Sequence, residues 1–160
     1  KRLNAKEKDA KQSGVVKASG LLFILAFVLS GLGWRSGWYM LPRWVVAIAL
    51  VLFLLAYLMY AEVLRENSYL SRTIEVTAEQ KVIDTGLYAI VRHPMYSATI
   101  LLFITMPIIL GSPIAAAIML LYIPLIVRRI HLEEALLERE LKGYAEYKKR
   151  VRYRLFPYIW

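Results

Sequence analysis

Residues 44–63, WVVAIALVLFLLAYLMYAEV, stay uncharged until Glu62. A helix of that length, rising 1.5 Å per residue, reaches about 30 Å, the thickness of a bilayer's hydrocarbon core. Three further apolar segments, at about residues 18–34, 95–110 and 114–127, are shorter. Short spans remain able to cross when Trp, Tyr and Arg flank them and anchor at the interface. The chain is 59% hydrophobic over 160 residues, with a positive mean hydropathy, whereas a soluble domain would be roughly half apolar. The expectation is an all-α polytopic membrane protein, a single membrane domain with about four transmembrane helices.

Between the last two segments Gly111-Ser112-Pro113 leaves room for a tight turn only, so those spans should form an antiparallel hairpin. Residues 1–17 are charged without an apolar core and are not a signal peptide. The first residue is Lys1, not methionine, so an upstream segment is expected to have been removed or left out, with room for a further span.

The 21 Lys and Arg residues lie outside the spans: 6 in residues 1–17, 2 between the first two spans (Arg35, Arg43), 4 from Arg65 to Arg92, and 9 after Val127. By the positive-inside rule the N-terminal segment, the loop at 64–93 and the tail at 128–160 share the cytoplasmic side. The net charge of +9 therefore marks a membrane face, and nucleic acid is not expected as a partner. The absence of cysteine excludes disulfides, thiolate metal sites and a cysteine nucleophile. His93 and His131 are too isolated for a metal site, and none is expected.

The stretch Ile90-Val91-Arg92-His93-Pro94-Met95-Tyr96 stands at the start of the third span. Proline fixes its own φ and disfavours α geometry before it, so Pro94 suits the first helical position and His93 the cap. Free N–H groups at Met95, Tyr96 and Ser97, beside Arg92, would then suit a carboxylate or phosphate. The plainer reading makes Arg92 and His93 headgroup anchors. Glu133 and Glu134 follow the fourth span, where an Arg129–Glu133 pair at i,i+4 would be an ordinary surface feature. Adjacent helical residues point about 100° apart, leaving the other glutamate to turn toward the hairpin partner. The hairpin should bring the Arg-His-Pro cap and the Glu-Glu pair together. The tail from Ile130 onward reads as an amphipathic cytoplasmic helix with Leu132, Leu136, Leu137 and Leu141 on one side.

An arginine and a helix start beside a glutamate, among tyrosines, suit a zwitterionic ligand with one carboxylate and one ammonium. S-adenosylmethionine is such a ligand, and methyl transfer from it needs alignment and desolvation more than metals.

The order Gly86-Leu87-Tyr88, Arg92-His93-Pro94-Met95-Tyr96, a short hairpin, Glu133-Glu134, Tyr144 and Tyr147, then Arg154-Leu155-Phe156-Pro157 resembles the integral-membrane isoprenylcysteine carboxyl methyltransferases and their phospholipid methyltransferase relatives. The resemblance covers about residues 82–158. It implies S-adenosylmethionine as cofactor, S-adenosylhomocysteine as product, and a membrane lipid or lipidated acceptor as partner. Gly86, Leu87, Tyr88, Val91, Arg92, His93, Pro94, Tyr96, Glu133 and Glu134 are then expected at the cofactor, with Arg92, Glu134 and Arg154 as catalytic residues. Tyr144 and Tyr147 are expected to pack the tail, and Gly86 to allow a turn and a close backbone approach. Residues 1–80 carry none of the family's marks. Arg72, Glu62 and Glu66 would face a substrate headgroup or, more simply, water. Two rivals stand beside this reading: a non-catalytic membrane anchor with a lipid-binding basic face, and a membrane reductase, for which 160 residues are few.

Overall fold

The computed structural model describes the backbone of residues 2–37, 41–69, 76 and 80–160, and their side chains from residue 13 onward. Arg72 lies outside these residues. Among the described residues the structure is helical, with one isolated bridge between Val91 and Tyr153.

Helix α1 (Arg2–Ser36) runs through the basic N-terminal segment into the first apolar stretch, because nothing in residues 2–17 breaks a helix outright. Helix α2 (Arg43–Glu66) starts on the Pro42 carbonyl, which accepts the N–H groups of Val45 and Val46. Helix α3 (Pro94–Ile109) has Pro94 at its first position and Pro107 near its end. The expected turn follows: Gly111 takes φ +79°, Ser112 Oγ accepts the Ala115 N–H, and Pro113 opens α4 (Pro113–Met119). Helix α5 (Tyr122–Glu140) continues in the same apolar run after a short irregularity at Leu120 and Leu121. Pro124 explains it, since it brings no N–H and crowds the carbonyl four residues earlier.

Three helices are long and apolar enough to cross a bilayer: Ser13–Ser36, Arg43–Glu66 and Pro113–Glu140. The expectation of about four meets a shorter helix in α3, whose 16 residues span about 24 Å at 1.5 Å each. Leu50, Val51, Leu54, Leu55 and Leu58 of α2 are exposed, as lipid-facing side chains are, and the chain is an integral membrane protein.

The contacts divide the chain into two compact units. The first comprises residues 1–55 and 100–129. There α1 packs on α4, and Phe103 of α3 touches both Phe23 of α1 and Tyr122 of α5. The second comprises residues 56–99 and 130–160. Its core gathers Leu141, Tyr144, Tyr147 and Val151, with Val76, Val82 and Leu137 against them.

The tail departs from the single helix expected of it. Gly143, at φ +86°, ends the run after α5, and α6 (Tyr144–Arg150) follows at a new angle. A left-handed residue cannot continue a right-handed helix, and glycine takes that conformation without cost. Beyond Val151 the chain is extended and turning, not helical.

Candidate functional site

The second unit holds the polar constellation. Arg92 and His93 directly precede α3, and their N–H groups donate to the carbonyls of Tyr153 and Arg154, both at 2.9 Å. These two bonds and the Val91–Tyr153 bridge tie the tail to the start of α3. Ser97, one turn into α3 and 1% exposed, adds a bond from its Oγ to the Leu155 carbonyl at 2.6 Å.

Arg92 is buried, and its guanidinium is committed within the unit. Nε donates to Glu134 Oε1 at 2.7 Å, and Nη1 donates to the carbonyls of Val151 and Arg152 at 2.9 and 3.0 Å. Glu134, 3% exposed, takes His93 Nε2 on the same oxygen at 3.2 Å and Arg154 Nε on Oε2 at 3.0 Å. A carboxylate only accepts, so with neutral imidazole Nε2 carries the hydrogen and Nδ1 the lone pair. Burying the carboxylate is offset by these three donors, and removing any one leaves charge stranded in a dry site. Arg154 also lies over the Trp160 ring, 4.7 Å from its centroid.

Glu133 stands differently. Its Oε2 accepts the Tyr96 hydroxyl at 2.6 Å, while Oε1 lies 3.9 Å from His93 Nδ1, beyond hydrogen-bond range. Its side chain is 24% exposed, as is that of Arg154, against 4% for Arg92 and Glu134. The hairpin thus delivers both glutamates to the Arg-His-Pro cap, with one turned inward and one reachable.

The helix start is less available than its sequence suggests. The N–H groups of Tyr96 and Ser97 both donate to the His93 carbonyl, so of the three expected free donors these two are spent locally.

Three tyrosines close the region. Tyr88, in a 3-10 turn (Gly86–Ala89), accepts from Asn67 Nδ2 at 2.9 Å; burial pushes its phenol up to about 12, with the Asn67 bond pulling the other way. Tyr147 donates to the Tyr88 carbonyl at 2.7 Å, and burial holds its phenol above the ordinary range. Tyr144 is 4% exposed, and among the described residues its buried hydroxyl has no hydrogen-bond partner. Burial, reinforced by the charge of Glu134, raises this phenol as well.

Of the residues expected at the cofactor, Arg92, His93, Tyr96, Glu133 and Glu134 come together, and Arg154 joins them. Pro94 is buried at the head of α3, and Val91 is buried in the bridge to Tyr153. Gly86 takes φ +55°, as its turn required; its close neighbour is the Glu66 side chain, whose carboxylate accepts the Thr85 hydroxyl. Leu87 is half-buried in the same turn. Glu62 pairs with Arg65. Sequence reasoning passed over Asn67 and the hydroxyl of Ser97. A polar residue directly after α2 and another inside the first turn of an apolar helix were the available signals.

A family model described as the isoprenylcysteine carboxyl methyltransferase family matches residues 44–139. No curated protein matches the chain. The matched segment includes the Arg-His-Pro cap and both glutamates, and Tyr144 and Arg154 lie beyond it.

Proposed function

Because the chain belongs to the isoprenylcysteine carboxyl methyltransferase family, we propose that it transfers a methyl group from S-adenosylmethionine to a lipophilic acceptor held in the bilayer, an isoprenylcysteine-type carboxylate or a related lipid. The observation that carries the proposal is the split between the two glutamates: Glu134 saturated by Arg92, His93 and Arg154, and Glu133 with one oxygen uncommitted at a half-open position.

The residues present fit the cofactor. Glu133 Oε1 suits its ammonium, and Arg154 its carboxylate. The stacked pair His93 and Tyr96, 5.7 Å apart, offers an aromatic face to a cation. The Tyr144 hydroxyl, buried with no partner, waits for an acceptor that a ligand would bring. When bound, S-adenosylmethionine supplies a methyl carbon made electrophilic by its sulfonium. The chain's own task is positioning: Arg92, His93 and Glu134 hold the walls rigid, and Glu133, Arg154, Tyr96 and Tyr144 orient what enters. Gly86, Leu87, Tyr88, Val91 and Pro94 would support these residues from the chain leading into α3. With a carboxylate acceptor Arg154 also balances its charge; with an amine acceptor Glu133 takes the proton. The distribution of Lys and Arg supports a site on the cytoplasmic face.

Calorimetric titration of S-adenosylhomocysteine into the detergent-purified protein, with adenosine as comparison, tests the cofactor. Saturable micromolar binding that adenosine does not reproduce is expected, followed by transfer of labelled methyl from S-adenosylmethionine to a farnesylated cysteine or to extracted lipid. No binding to folded protein removes the cofactor assignment and leaves the Arg92 cluster a structural clamp.

A further inference from the structure

The first unit carries a cavity of about 570 Å³ that methyl transfer does not account for. It is bounded by Phe27, Ser30 and Trp34 of α1, by Leu41 and Val46 around the start of α2, and by Ile109 and Leu110 beside the hairpin turn. Its one hydroxyl is already satisfied, since Ser30 Oγ donates to the Ala26 carbonyl at 2.8 Å, so the wall offers hydrocarbon. Gly31 opens it further: a Cβ built there meets nothing within 4 Å. The volume falls within the roughly 300–1,000 Å³ of ordinary ligand sites and, at about 30 Å³ per water-sized group, holds a single acyl chain.

The rim has a consistent sign. From Ala18 to Ala61 the sequence contains two charged residues, Arg35 and Arg43, and from Pro94 to Val127 it contains none. Arg35 directly follows Trp34, Arg43 lies between Leu41 and Val46, and both are exposed. Trp34 and Trp44, 85% and 66% exposed, flank them as aromatic residues flank the headgroup layer. An apolar slot lined by Trp34, with exposed Arg35, Arg43 and Trp44 next to its lining residues in the chain, is complementary to an amphiphile with an anionic head.

We propose that this cavity is a binding site for an anionic phospholipid of the bilayer, with one acyl chain between α1 and the hairpin turn and its phosphate at Arg35 and Arg43. The site belongs to the first unit and is independent of the cofactor reading. The two arginines give headgroup selectivity, because juxtamembrane basic residues each strengthen attraction to anionic lipid.

The test is native mass spectrometry of the purified full chain titrated with dioleoyl phosphatidylglycerol or dioleoyl phosphatidylcholine. One phosphatidylglycerol is expected to bind per chain, about tenfold more tightly than phosphatidylcholine, with that preference lost in the Arg35→Gln/Arg43→Gln double variant. Gly31→Leu fills open space and is expected to reduce binding of both lipids at least tenfold. Should Gly31→Leu fail to fold, the arginine variant, which leaves the apolar wall intact, still decides. Equal binding of the two lipids by the unmodified chain, or a preference unchanged by the arginine substitutions, overturns the proposal. So does a raised KM for the methyl acceptor in Gly31→Leu, which would make the cavity the acceptor's own.

Discussion

Replacing Tyr144 by phenylalanine separates a ligand contact from a packing residue, because the two roles move stability and affinity in opposite ways. The ring is 4% exposed among Leu141, Tyr147 and Val151, so phenylalanine keeps the packing and removes one hydroxyl. That hydroxyl is buried without a partner, and in mutational data a stranded polar group costs about 1–3 kcal/mol. Its removal should therefore stabilise the ligand-free protein, raising Tm by about 2–4 °C per kcal/mol in a chain of this size. The same change removes a hydrogen bond worth about 1 kcal/mol from the bound state, so affinity for S-adenosylhomocysteine should fall about fivefold. Thermal melts in detergent, with and without S-adenosylhomocysteine, and calorimetry on the same samples read both quantities. An unaltered affinity together with an unaltered or lower Tm refutes the reasoning, since the hydroxyl would then be satisfied inside the protein.

The two glutamates should respond unequally. Glu134→Gln strands Arg92 and Arg154 and should cost about 3–5 kcal/mol, seen as a large fall in Tm; Glu133→Gln should melt near the unmodified protein and bind S-adenosylhomocysteine more weakly. Equal melting of the pair would contradict the assigned roles. Gly143→Ala places a Cβ at φ +86° with only Val82 near it, at 3.9 Å, so strain alone should destabilise it by about 1–2 kcal/mol in the same melts. Alkaline titration tests the buried phenols. Tyr88, raised to about 12, and Tyr144 and Tyr147, also raised, bind their protons more tightly when folded than unfolded. Their contribution is whole below the ordinary tyrosine pKa of about 10 and is lost as pH climbs toward 12, so tyrosinate absorbance from these residues should appear together with unfolding.

The sequence disclosed what local chemistry decides. Apolar run length set the spans, Gly111-Ser112-Pro113 set the hairpin, and that hairpin required Arg92 to meet the Glu133-Glu134 pair. It did not disclose which glutamate would turn inward, because helical phase fixes an angle between neighbours and only the tail's carbonyls and Arg154 decide which side is dry. The tail's helical reading failed at Gly143, just past the last of the spaced leucines, Leu141, where a left-handed φ ends the helix. Tyr144 and Tyr147 were legible as packing residues of the tail, and both lie in the core with Leu141 and Val151. The shortness of α3 was visible; that its first N–H groups would be spent on His93 was not.

The pairing of Arg92 with residues 151–154 also sets an order of assembly. The Arg152 carbonyl lies 60 positions later in the chain, and Glu134 42 positions later. During synthesis the arginine therefore enters the membrane boundary before any of these partners exists, and it must stay hydrated or held by a lipid phosphate until they arrive. The second unit then closes late and in one step, since guanidinium, carboxylate and tail are each costly to bury alone.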